Sequence, residues 1–221
     1  MGAVPARLRT AFQRGGEMGR RMAELDWSTS PAGDPSRWPP ELVDAVITAL
    51  ASKTQICIFW GPEHVVLYND GYIPVPGAKH PAYLGRPGRE LWAEAWDLVG
   101  GLLRRVADTD EAFYADDLLF VLDRYGFLEE TYFDISYDPI RSADGSVSGV
   151  MCIVTETTGR VLGERRVRTL SALGRRLADL ADPAALAAEA VAVLGENPGD
   201  VPFARLTLDG PPARSRVPLR E

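Results

Sequence analysis

Residues 129–158 read EETYFDISYDPIRSADGSVSGVMCIVTETT, and this stretch predicts two long strands of a hairpin around which the rest of the chain is placed. In the first strand Thr131, Phe133, Ile135 and Tyr137 alternate with Tyr132, Asp134 and Ser136, the period of a half-buried strand. Asp138-Pro139 is expected to interrupt the ladder. Ser142, Asp144 and Gly145 supply a reversal, because Asp-Gly tolerates the left-handed backbone of a tight turn. The return strand, Val150 to Thr155, is apolar on both faces, with Val150, Cys152 and Val154 against Met151 and Ile153. That suits a central strand and implies further strands beside it.

Working outward, Gln55 to Trp60 and His64 to Tyr68 read as a second hairpin joined by Gly61-Pro62. Pro39 and Pro40 fit a first helical turn, followed by an apolar face of Leu42, Val43, Val46, Ile47 and Leu50. Asp26 to Pro40 is an ordered loop in which Trp27 and Trp38 can pin the backbone, and the first residues are frayed or loosely helical. Arg89 to Ala107 has helical spacing through Trp92, Trp96, Val99, Leu103 and Val106, with a bend expected at Gly100-Gly101. Glu111 to Leu122 reads as a third strand, although Leu118 to Leu122 could equally be helical. Beyond Glu156 the chain turns polar and Arg-rich, with Leu170, Leu173, Leu177 and Leu180 at heptad spacing over fewer than two heptads. Asp182-Pro183 starts another helix that Gly195 stops, and Phe203 to Leu208 is a possible strand.

The hairpin followed by Glu156-Thr157-Thr158 and a charged helix resembles the end of a PAS sensory domain, whose last strand leaves through an acidic-x-Thr exit into a signalling helix. LYNDGYIPVPGAKHPAYLGRP, residues 67–87, is similar to the PAS segment in which an Asn follows the second strand and a Leu-Gly pair follows the next short helices; these are Asn69, Leu84 and Gly85. The resemblance is to PAS modules that precede GAF domains in bacterial sensor histidine kinases and PPM-type serine phosphatases. It implies an α/β (α+β) fold with a five-stranded antiparallel sheet and helices over one face. The expected organisation is an N-terminus at 1–24, a loop and helix at 25–52, the PAS domain at 53–158, a connector helix at 159–181 and an incomplete GAF-like segment at 182–221.

The same resemblance implies a small cavity between sheet and long helix. Here its lining would draw on Trp60, Tyr68, Trp92, Trp96, Tyr132 and Cys152, with Asn69 and His80 as polar candidates, a set that suits a flat small molecule. The alternative is that these aromatics simply fill the core. A haem or flavin redox sensor is a further alternative, with His80 as axial ligand, although the reactive Cys of a LOV-type flavin adduct is missing after Asn69; the cofactor is otherwise unknown. Cys57 and Cys152 fall on first and last strands, neighbours in the PAS order, and are expected as buried thiols. The stripe Leu170, Leu173, Leu177 and Leu180 implies a homodimer that relays a change to an output domain; otherwise it packs on its own sheet or on the N-terminal helix.

Composition excludes several other classes. The net charge of -7 comes without a basic block, against a nucleic-acid surface. No apolar run approaches a membrane span and no signal peptide is apparent, so a cytoplasmic location is expected. Arg greatly outnumbers Lys and Ala is abundant, which points to a GC-rich bacterial genome. The pairs Asp116-Asp117, Glu129-Glu130 and Asp108/Asp110 read as solvated turns and strand ends rather than metal ligands or acid–base pairs, because no His, Lys or Gly-rich loop accompanies them. No nucleotide-binding motif occurs, and the expectation is a protein without catalytic or metal-binding residues.

Overall fold

A computed structural model of the chain describes residues 3–207. It divides into two compact units, one ending at Thr158 and the other beginning at Gly159. The first opens with α1 (Ala6–Arg14) and α2 (Gly16–Glu24). Neither is frayed: Leu8, Phe12, Met18 and Met22 are buried. The helices lack side-chain caps of their own. Instead, the backbone N–H groups of Glu17 and Met18 donate to the Asp70 carboxylate at 3.0 and 2.7 Å, placing a negative charge at the N-terminus of α2. Trp27 and Trp38 meet edge to face at 4.9 Å, and their indole N–H groups donate to the Met22 and Gly33 carbonyls. These bonds order the loop before α3 (Pro40–Ala51).

The sheet contains β1 (Gln55–Trp60), β2 (Val65–Tyr68), β3 (Phe113–Asp123), β4 (Leu128–Arg141) and β5 (Val147–Glu156), antiparallel in the order β2-β1-β5-β4-β3. The opening hairpin is therefore β4–β5, with the apolar β5 at the centre. Gly145 takes the turn at φ +87°. Pro139 does not interrupt β4: it pairs with Val150. The β3 partner of β4 ends at Phe113 opposite Tyr137, so the missing Pro donor faces an open side. Leu118 to Leu122 is strand rather than helix.

One face of the sheet carries Cys57, Phe59, Phe120, Phe133, Ile135, Tyr137, Val150, Cys152 and Val154, all buried. Against it lie α4 (Gly88–Leu91), a 3-10 turn at Ala93–Ala95 and α5 (Trp96–Thr109). The sequence reads this region as one helix from Arg89. It breaks at Trp92 because Lys79 Nζ takes the Leu91 carbonyl at 2.9 Å while also bonding Glu94 at 2.6 Å. Gly100-Gly101 does not interrupt the helix. Helix α5 runs through the pair, and the bare Gly100 backbone accommodates the Trp96 indole, which a Cβ would meet at 3.0 Å.

The second unit holds most of α6 (Thr158–Leu177), together with α7 (Pro183–Gly195). Asp182 caps α7 by accepting the Ala185 N–H at 2.9 Å. Arg165 and Arg166 bind Asp200, and Asn197 donates to Thr169 Oγ1 and to Asp200. Phe203 to Leu206 form no strand, and Leu208, the expected end of that strand, lies outside the described residues. No helix among the described residues is long and apolar enough to cross a membrane.

Candidate functional site

Between the buried sheet face and α5 there is a cavity of about 30 Å³, lined by Tyr72, Trp92, Val99, Phe133 and Cys152 among other apolar groups. That is room for about one or two waters, and a haem or flavin does not fit. Of the residues expected as lining, Trp92 and Cys152 are there. Trp60 instead borders an open surface groove with His64 and Gly149, and a Cβ at Gly149 would strike the Trp60 ring at 2.7 Å. Trp96 is half-buried, 5.9 Å from the His64 ring. Tyr132 cannot line the cavity, since it alternates with the buried Thr131 and Phe133 and so faces away; its hydroxyl donates to Glu130 at 2.6 Å.

Asn69, only 1% exposed, is fully engaged in holding backbone. Its Oδ1 accepts from Ile56 N and Tyr72 N, and its Nδ2 donates to the Ser52 and Thr54 carbonyls. It ties the end of α3, the start of β1 and the turn after β2 together. Tyr68 is buried, and its hydroxyl bonds His80 Nδ1 at 2.9 Å, while His80 Nε2 meets Glu17 Oε1 at 3.1 Å. Both ring nitrogens are thus occupied, which leaves neither for an axial metal bond. The Glu17 carboxyl is held below its ordinary range, first by Arg21 and then by His80.

Cys57 and Cys152 stand directly opposite on β1 and β5, both buried and free. The backbone of Gly61 donates to Ser148 O four residues along the same ladder, so by alternation the cysteine pair is also a hydrogen-bonded one, with α-carbons about 5.5 Å apart. Burial pushes both thiols up, and Cys57 Sγ donates to the Ile58 carbonyl at 3.8 Å. Tyr72 and Tyr137 are raised as well, by burial first and by the neighbouring thiols second. Tyr72, Tyr137 and the two thiols form a buried quartet of neutral groups.

A second polar region of the first unit is the exit of β5. Arg124, in the β3–β4 turn, forms bonds to Glu129 and to Glu156, the last residue of β5. Burial opposes the guanidinium charge, yet the two carboxylates outweigh it and hold the pKa above the usual Arg value. Next, Thr157 Oγ1 donates to Asp117 Oδ1 at 2.6 Å, Thr157 N to Tyr132 O, and Tyr132 N to Thr158 Oγ1 at 2.9 Å. Asp117 reaches Thr157 because β3 bulges between Ala115 and Leu118, with Asp117 itself at φ +47°. Sequence reading missed both anchors. The Asp-Asp pair that breaks the strand alternation at 116–117 is the signal of a bulge.

On α6, Leu170 is exposed, Leu173 and Leu177 are half-buried, and Leu180 lies beyond the helix end. The continuous stripe is therefore shorter than expected, with Leu180 off it: the helix stops at Leu177 and the chain turns through Leu180 N to Leu177 O.

The strand order β2-β1-β5-β4-β3 with helices on the cavity face defines an α+β PAS fold. No family model matches the chain. Among solved structures it is similar to a sensory box sensor histidine kinase from Vibrio cholerae, at 18% identity over 52% of this chain and 89% of that one, with a TM-score of 0.37. It is also similar to the PAS domain of BvgS from Bordetella pertussis, at 22% identity, 60% and 98% coverage and a TM-score of 0.44. An RNA-binding Light-Oxygen-Voltage receptor matches at 20% identity, 65% and 41% coverage and a TM-score of 0.44.

Proposed function

We propose that the chain is a sensory and regulatory module of a signal-transduction protein, acting through contact and conformation rather than chemistry of its own. The observation that supports this is the bonded exit of β5, where Arg124, Asp117 and Tyr132 hold Glu156, Thr157 and Thr158 at the start of α6. A shift of the β3–β4 hairpin then reaches the helix through hydrogen bonds instead of a loose linker. An input that favours one of two junction arrangements biases the helix by its differential affinity for them. Because the cavity is nearly filled, we take the input to be a partner's contact, which makes an interaction module the preferred form of this reading over capture of a small molecule. On the output side, two copies pair along Leu170, Leu173 and Leu177 and relay the change to a kinase or phosphatase domain.

The test is hydrogen exchange on the full chain with Arg124→Met. Removing the shared cation leaves Glu129 and Glu156 facing each other, at a cost of about 1–3 kcal/mol. Amides of residues 156–162 should exchange at least about tenfold faster while the inner strands stay protected. Unchanged exchange there would remove the junction from the mechanism. Sedimentation of Leu173→Asp checks the pairing: a wild-type dimer that persists in the variant would refute this use of α6.

A further inference from the structure

The sheet face turned away from the cavity is covered unevenly. At one end α3 packs on β1 and β2, where the outward Ile56, Ile58 and Leu67 are buried. At the other end, the outward residues of β3 and the start of β4 lie open: Leu119 and Val121 are each 45% exposed and Leu128 is 66% exposed. These three are contiguous. Val121 faces Glu130 and Asp123 faces Leu128, so Leu128 sits diagonally beside Val121. Phe127, in the turn before β4, is exposed beside them. An apolar strip of this kind on one strand pair is more than scattered surface residues provide.

The outward strand positions around the strip carry charge of one sign, and the nearby Arg124 is already paired with Glu129 and Glu156. The outward positions of β3 and β4 carry Asp116, Asp123, Asp134 and Asp138 and no Lys or Arg. Asp116 accepts from the Tyr114 hydroxyl, Asp123 from Gly126 N, Asp134 from Asp117 N and Asp138 from Ser136 Oγ; these are neutral donors. A second copy laid on the same strip would bring like charges together, which disfavours self-association. An added strand is disfavoured too, because the edge amide of Asp123 is already spent on Glu94 Oε1 at 2.9 Å.

We infer that this half of the sheet is a docking face for a cationic amphipathic helix of a partner protein. Its apolar side would cover Leu119, Val121 and Leu128, and Lys or Arg on its flanks would meet Asp116 and Asp123. Those two aspartates are about 20 Å apart along the strand, a span that about 13 helical residues cover. The inference names a surface, and it holds whether or not the β5 exit relays a signal.

The probe is a fluorescein-labelled 18-residue Leu/Lys amphipathic peptide, titrated against the full chain by anisotropy at low salt, with a Leu/Glu peptide as control. The Leu/Lys peptide should bind, weaken as salt rises, and lose at least about tenfold in affinity to Val121→Asp, with Leu119→Asp behaving alike. Each variant makes the face more negative. Affinity that stays equal or tightens in them would mean attraction by net charge alone and would overturn the docking face, as would no binding to the wild type or equal binding of the Leu/Glu peptide. A wild-type dimer that Val121→Asp dissociates would give the strip to a second copy and refute the cationic helix. Circular dichroism on both variants confirms that the exposed substitutions leave the fold intact.

Discussion

The inner side of the sheet and the exit of β5 are built on opposite principles within one unit. Inside, Trp92, Val99, Phe133 and Cys152 close on about 30 Å³ of space, and the tyrosine hydroxyls and thiols nearby are buried and neutral. At the exit, Arg124 with Glu129 and Glu156, and Asp117 with Thr157, hold the chain by charge and by directional bonds. Dispersion and burial tolerate no gap but little care about angle, whereas hydrogen bonds specify angle and leave room for a second arrangement. The inner side therefore supplies stability, and the exit fixes the positions of Glu156, Thr157 and Thr158.

The largest effect that separates the two regions belongs to Trp92→Ala. Deleting a 3% exposed indole from a packed wall should cost about 3–5 kcal/mol, read as a fall in the urea midpoint. A loss under about 1 kcal/mol would mean that the wall collapses freely and that the cavity is not a fixed part of the fold.

Alkaline pH should act next, and chiefly on the inner side. Cys57, Cys152, Tyr68, Tyr72 and Tyr137 all have raised pKa values in the folded chain, chiefly through burial. The native state then keeps protons that the unfolded chain releases, so stability is full below the unfolded pKa values and falls as pH rises past them. That fall begins at about pH 8.5 for the thiols and continues past about 10 for the tyrosines. Urea titrations at neutral and alkaline pH check it, and a flat profile would show the quartet open to solvent.

The smallest effect is expected from Thr157→Val, which removes one donor to Asp117 at the exit. About 0.5–1.5 kcal/mol of stability should be lost, with faster exchange confined to the amides around Thr158. Exchange that instead rises across the inner strands would erase the division between the two regions.

Much of this architecture is visible in the sequence. The period-2 alternation of residues 131–137 and the doubly apolar 150–154 locate the central hairpin, because each strand's faces are written in adjacent residues. The resemblance, not the alternation, named Trp92 and Cys152, and both border the cavity. Features that depend on distant partners were not legible. The packing of α1 and α2 rests on Asp70, and the break at Trp92 rests on Lys79, neither of which leaves a local pattern. Tyr132 shows the reverse case: its own alternation places it on the outward face, whereas the resemblance suggested the lining. Asn69 was visible as a residue of interest, but its four bonds to backbone make it a clasp rather than a ligand contact.

The capping of α2 by Asp70 also has a temporal side. The helix and its cap are 53 residues apart in the chain, so on a ribosome the first two helices emerge well before the carboxylate that completes them. At about 5–20 residues per second, this delay lasts roughly three to ten seconds. During it the first turn of α2 lacks the carboxylate that accepts from Glu17 and Met18.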